Sequence, residues 1–203
     1  MELVLVRHSI SVSNHQERIS GNGDDVPLSE AGIAYAKQCA GAFDWQRFDV
    51  VYTSTMTRAK QTAALLTGKQ TPLHEDPRLV EMGFGDWEGL DPEPFRHQFP
   101  DSFDYHGMFN ANFSKHAPHA ESYAELTVRA MDFLAMLQRT APSASVLAVS
   151  HGMTIRALVA AALHLSPEAL AAPQNVAVNA LHFDEHDGFR ARLLTYDRVL
   201  IPQ

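Results

Sequence analysis

The sequence predicts an α/β fold: a three-layer sandwich with a mostly parallel central sheet, helices on both faces and a small inserted lobe. Three observations carry this expectation. The runs "ELVLV", "FDVVYTS" and "SVLAVS" are short, apolar and rich in β-branched residues, as suits strands covered on both faces. Segments with the apolar spacing of helices alternate with them, and that alternation builds a parallel sheet. The length of 203 residues suits one domain of ordinary size with an inserted lobe.

The elements follow in order. "ELVLV" reads as a central strand, and "SNHQERISGNGDDVP" as loop, by its Asn, Gly, Asp and Pro. In "LSEAGIAYAKQCAGAF", Ser29 is the expected N-cap, and Ile33, Tyr35, Ala36, Cys39, Ala40 and Phe43 form an apolar face. "FDVVYTS" is a second strand ending in small hydroxyl residues. "TMTRAKQTAALLTG" is a helix with Gly68 at its C-cap. "DPRLVEMGFGDWEGL" mixes apolar, acidic and glycine residues and reads as an irregular, ordered loop. From Asp91 to about His119 the chain turns dense in Phe, His, Pro and Asn without periodicity, so a cap or lid is expected at about 91–119. "ESYAELTVRAMDFLAMLQRTAP" returns to helical spacing, "SVLAVS" is a third strand, and "GMTIRALVAAALHL" is a helix behind it. "NVAVNALHFD" and "FRARLLTYD" pair as late strands across the turn "EHDG".

Composition narrows the function classes. The formal net charge is -8 with 11 histidines taken as neutral, which argues against nucleic-acid binding by phosphate neutralisation. A local basic pocket for a small anion remains compatible with it. Cys39 is the single cysteine, so no intramolecular disulfide forms, and a buried helical thiol is expected. No secretory signal opens the sequence and no apolar run approaches the roughly 20 residues of a membrane span. A cytoplasmic protein without a membrane partner is the expectation. His97, His106, His116 and His119 fit no ligand spacing, so no metal is expected there.

The chemistry concentrates at the strand ends, where α/β sheets bind ligands. Arg7 and His8 follow the first strand, Ser54 to Arg58 the second, and Ser150, His151 and Gly152 the third. In a parallel sheet these clusters converge. Guanidinium forks match phosphate oxygens, and two focused on one point call for a dianion. Helix N-termini after Thr55 and His151 add backbone donors. A neutral imidazole can attack phosphorus, while arginines and a second histidine hold the phosphoryl oxygens. Glu81, from the irregular loop, supplies a carboxyl group for proton transfer. This set needs neither a metal nor a cofactor.

Four blocks, "LVRHSIS", "VYTSTMTRAKQTA", "LVEMGFGDWEG" and "LAVSHGMTIRAL", resemble in order those of the histidine phosphatase superfamily, also called phosphoglycerate-mutase-like. The resemblance covers nearly the whole chain and is weakest between Asp91 and Pro118. It implies that His8 is the phosphate-accepting nucleophile and that Arg7 and Arg58 bind the phosphoryl group. It also implies that His151 completes the pocket and that Glu81 is general acid and base. Asn14, Ser9, Ser20, Gly21 and Gly152 join the expected phosphate contacts. The chain departs from the family pattern at Ser9, usually Gly or Ala, and at Ile10, usually Glu or Gln. The serine hydroxyl either adds a hydrogen bond or crowds the nucleophile. A later "GES" appears as Ala120-Glu121-Ser122.

The "EMGFGDWE" block and the short spacing before it look like the small phosphatase branch, resembling α-ribazole-5′-phosphate phosphatases and broad-specificity phosphatases. The implied activity is hydrolysis of small phosphomonoesters. A phosphoglycerate mutase, or a catalytically weak phospho-ligand-binding member of the fold, is the alternative. Phe84, Trp87, Phe95, Phe99, Tyr105 and Phe109 either line the leaving-group pocket or pack the lobe's own core. Apolar residues near the last strand leave a homodimer open.

Overall fold

The computed structural model describes residues 1–68 and 71–202. One six-stranded sheet runs through it in the order β3-β2-β4-β1-β5-β6. Its strands are β1 (Glu2–Arg7), β2 (Val50–Thr53), β3 (Leu73–Glu75), β4 (Ser145–Ser150), β5 (Val178–Asp184) and β6 (Arg190–Arg198). The first four are mutually parallel, while β5 runs antiparallel to β1 and β6 antiparallel to β5. The mostly parallel sheet is therefore as expected. The edge strand β3 was not legible, because three residues with one half-buried apolar side chain carry no periodicity.

The helices are α1 (Val12–His15), α2 (Glu30–Ala40), α3 (Thr57–Thr67), α4 (Glu93–Gln98), α5 (Phe113–His116), α6 (Tyr123–Thr140) and α7 (Gly152–Leu163). Ser29 caps α2 by accepting from the Gly32 amide, and Gly68 ends α3 at φ +82°. Helix α2 stops at Ala40, before Phe43, whose ring instead packs on Trp45 at 4.6 Å.

The alternation of side chains along a strand explains why β1 is apolar throughout. Leu3 and Leu5 enter the core under α6 and α7. Val4 and Val6 enter the core under α2 and α3. β4 does the same, with Val146 and Ala148 on one face and Leu147 and Val149 on the other. Both strands end in polar residues at one edge, in the pairing Arg7–Ser150.

Residues 91–119 contain α4 and α5, and Phe95, Phe99, Phe109 and Phe113 join the α6–α7 core. Trp87 stacks on Phe95 at 4.3 Å and on Phe99 at 5.7 Å, and Phe84 meets Phe109 at 5.0 Å. These five pack on one another and against the main core, so the lobe has no separate core of its own. Tyr105 is 93% exposed and packs on His106. His116 pairs with Asp101 and His119 with Asp86. No group of three or more His, Cys, Asp or Glu among the described residues is placed to hold a metal ion. Among the same residues no helix is long and apolar enough to cross a membrane.

Candidate active site

Beyond the carboxyl ends of the parallel strands, five side chains predicted from sequence come together. His8 is 3% exposed, Arg58 1%, His151 0% and Glu81 6%, and Arg7 is half-buried. The imidazoles of His8 and His151 face one another across the gap between β1 and β4.

His8 is pinned at both its backbone and its ring. Its amide donates to the Ser150 carbonyl of β4 at 2.9 Å. Its Nδ1 donates to the Ser9 carbonyl at 2.6 Å. A neutral imidazole with its proton on Nδ1 keeps the Nε2 lone pair for a nucleophilic role. Burial holds the His8 pKa well below the ordinary histidine value, and the charges of Arg58 and Arg7 push in the same direction. His151 is lowered by burial first, then by His8, Arg58 and Arg7.

His151 meets Ser54, which the sequence placed at the end of the second strand without a role. Its Nε2 lies 2.8 Å from Ser54 Oγ, which also accepts from the Met56 amide. With the Ser54 hydroxyl hydrogen directed to Nε2, the imidazole proton resides on Nδ1. That Nδ1, with Arg7 Nε, Arg58 Nε and Ser20 Oγ, is buried without a hydrogen-bond partner among the described residues. Buried polar groups are rarely left so. Three of them, on Arg7, Arg58 and His151, belong to one strand-end cluster and are suited to an anion.

The rest of each arginine is spent on the scaffold. Arg7 Nη1 donates to the Pro173 carbonyl at 2.8 Å. Arg58 donates from Nη1 to the Asp24 carbonyl and from Nη2 to the Gly21 carbonyl, at 3.1 and 2.9 Å. Gly21 fits this crowded loop, since a Cβ there would lie 2.7 Å from the Met82 carbonyl oxygen. Glu88 holds the same loop, accepting from the Gly23 and Phe84 amides.

Glu81 sits against the start of α7. Its carboxylate accepts from the Met82, Thr154 and Met153 amides at 2.9, 3.2 and 3.3 Å. The charge of Glu81 acts on both Arg7 and Arg58. Behind it, Arg129 donates to the carbonyls of Arg78, Val80 and Glu81 and forms a forked pair with Glu121. Glu121 also accepts from the Gly83 amide. The off-pattern "AES" thus keeps its contacts with the acid loop.

The remaining predicted contacts divide. Gly152 opens α7 beside the Arg7 guanidinium; a Cβ there would stand 3.6 Å from it. Asn14 Oδ1 accepts from the Ser11 amide in the capping box of α1. The Ser9 hydroxyl does not line the pocket: it donates to the Gly32 carbonyl at 2.7 Å, and its amide donates to Thr62 Oγ1. Gly32 permits this, because a Cβ on it would meet the Ile10 carbonyl at 1.9 Å. Ser9 and Ile10 therefore dock α2 onto the end of β1. Thr62, Thr154 and Asn175 carried no local signal, being small polar residues defined by distant partners.

The profile of the histidine phosphatase superfamily (branch 1) matches residues 3–196. The chain belongs to this family. It is 32% identical to a 2,3-bisphosphoglycerate-dependent phosphoglycerate mutase of Bradyrhizobium diazoefficiens, over 83% of this chain and 84% of the relative. It is 31% identical to the adenosylcobalamin/alpha-ribazole phosphatase of Salmonella typhimurium, over 84% and 83%. Among solved structures it resembles a mycobacterial glucosyl-3-phosphoglycerate phosphatase in complex with VO3. That match has a TM-score of 0.82 at 27% identity, covering 98% of this chain and 99% of the other. The alpha-ribazole phosphatase of Shigella flexneri aligns with a TM-score of 0.77 at 25% identity, covering all of both chains. Phosphatases and phosphoglycerate mutases are thus this histidine phosphatase's relatives, and the family acts on small phosphorylated substrates.

Proposed function

We propose that this histidine phosphatase hydrolyses small phosphomonoesters through a phosphohistidine on His8. The observation that carries the reading is the Nδ1 bond of His8 to the Ser9 carbonyl, which keeps Nε2 nucleophilic beside the unpartnered donors of Arg7, Arg58 and His151.

The cycle has two displacements. Nε2 of neutral His8 attacks phosphorus as the ester oxygen departs with a proton from Glu81. The glutamate, now a carboxylate, takes a proton from water as that water attacks phosphorus. The N–P bond breaks, orthophosphate leaves and His8 regains its lone pair. Arg7, Arg58 and the Nδ1–H of His151 hold the equatorial oxygens throughout and offset their charge. These side chains supply the positive charge the transfer needs, so chelators should leave turnover unchanged.

His8→Ala should abolish hydrolysis of an aryl phosphate while the far-ultraviolet spectrum stays native; retained turnover would sink the mechanism. A phosphatase-release screen over sugar phosphates, nucleotides, glycerates and α-ribazole phosphate assigns the leaving group. The mutase relatives support a second reading. Isomer exchange of phosphoglycerates with a bisphosphate primer, faster than phosphate release, would favour it.

A further inference from the structure

We propose that residues 173–176 act as a clamp that aims the nucleophile, with Asn175 and Asp197 as positioning residues. The inference rests on His8 being the phosphoryl acceptor. Its starting point is a mismatch in the sheet. β5 begins at Val178, opposite Val6, so the antiparallel ladder stops before Arg7 and His8. On the other side β4 continues, pairing Ser150 with Arg7 and receiving the His8 amide.

The preceding loop takes over where β5 stops. The Val176 amide donates to the Arg7 carbonyl at 3.0 Å. Asn175 Nδ2 donates to the His8 carbonyl at 2.8 Å. The Pro173 carbonyl accepts from Arg7 Nη1 at 2.8 Å. Thus Pro173, Val176 and Asn175, within one four-residue stretch, grip the backbone of both Arg7 and His8 and one guanidinium.

This grip needs an unusual backbone. Val176 has φ +57°, the left-handed region, which a β-branched residue rarely enters. Such strain persists when the surroundings over-determine it, and it clusters at functional sites. Here the surroundings are the buried core around Val176 and a carboxylate behind the loop. Asp197 accepts from the Gln174 amide at 2.7 Å and from Gln174 Nε2 at 3.3 Å. Asp197 is itself left-handed, at φ +51°, and its amide donates to Asn179 Oδ1 at 2.8 Å. The register of β5 against β6 shifts between Val178 and Leu181. Irregularities of this kind beside active sites re-aim side chains. The charge of Asp197 also acts on Arg7. A line of contacts therefore runs from the irregular edge of β6, through Gln174 and Asn175, to the carbonyl of His8.

Aiming matters because a displacement of about 1 Å in a reacting atom costs on the order of 100-fold in rate. The test separates aim from anion binding. Single-turnover phosphorylation of His8 by an aryl phosphate is followed by rapid quench, beside the inhibition constant of inorganic phosphate. Asn175→Ala should slow phosphorylation about 10- to 100-fold while the phosphate constant moves less than about 3-fold. Asp197→Asn, farther from the reacting atoms, should show the same split at about 3- to 10-fold and guards against misfolding of the first variant. Rates unchanged in both folded variants, or rate and phosphate affinity lost in parallel, would overturn the clamp. A wild-type protein that traps no phosphohistidine would overturn the parent reading as well. A normal phosphohistidine with an unaltered Asn175→Ala rate would overturn the clamp alone.

Discussion

The imidazoles of His8 and His151 lie 5.0 Å apart between ring centroids, with their planes tilted by 57°. Two histidines so close, both buried and both beside Arg7 and Arg58, are held neutral. Neutrality suits one as nucleophile and the other as hydrogen-bond donor, and it has a cost in acid.

Stability should therefore fall below the ordinary histidine range. Both folded-state pKa values are lowered, so below about pH 6.5 the unfolded chain takes up protons that the folded chain refuses. The contribution is fully present above that pH and is lost as pH falls through it, by up to about 1.4 kcal/mol per pH unit for each histidine. Urea midpoints at pH 7.5 and 5.5 test this. His8→Asn should lose less stability across the window than the wild type.

Turnover should persist at lower pH than free imidazole allows. The acid limb of kcat/KM reports protonation of the nucleophile, and burial with the two arginines lowers that pKa. Arg58→Met removes one of those charges, so its acid limb should shift upward in pH. The same variant should lose about 100- to 1,000-fold in kcat/KM through weaker charge stabilisation. A full pH–rate profile of each protein reads both effects.

Glu81→Gln should discriminate between leaving groups. An alkoxide needs a proton and an activated phenoxide does not, so alkyl phosphates should slow by about 100- to 10,000-fold and aryl phosphates far less. Equal slowing of matched esters would remove Glu81 from proton transfer.

The acid loop should depend on a pair remote from phosphate. Glu121 and Arg129 meet at 2.6 Å with side chains only 15% and 17% exposed. Glu121→Ala leaves the guanidinium without its partner and should cost about 3 kcal/mol, measured by urea unfolding. Activity at a temperature where the variant is folded should fall more for alkyl than for aryl esters, since Glu81 rides on the same loop.

Much of this site was legible because strands that should end in apolar or small residues end in Arg7-His8 and Ser150-His151 instead. Apolar runs fixed β1, β2 and β4, and the parallel arrangement brought their polar ends together. What stayed hidden depends on partners far along the chain. Asn175 matters through His8, and Ser54 and Glu121, though visible as residues, through the unforeseen partners His151 and Gly83. No local pattern announces such pairs. Ser9 shows the converse: an unusual residue beside His8 suggested pocket chemistry, and its hydroxyl belongs to the packing of α2.

The anion-suited cluster draws on the ends of β1 and β4 and on the starts of α3 and α7. No single stretch of chain brings together more than a fragment of it. On the proposed reading, a partly folded chain consequently offers orthophosphate nothing to hold, and only the finished sheet would. Ordinary phosphate in the surrounding solution would then act as a chemical chaperone, adding conformational stability with the logarithm of its concentration and partly rescuing variants damaged far from the cluster.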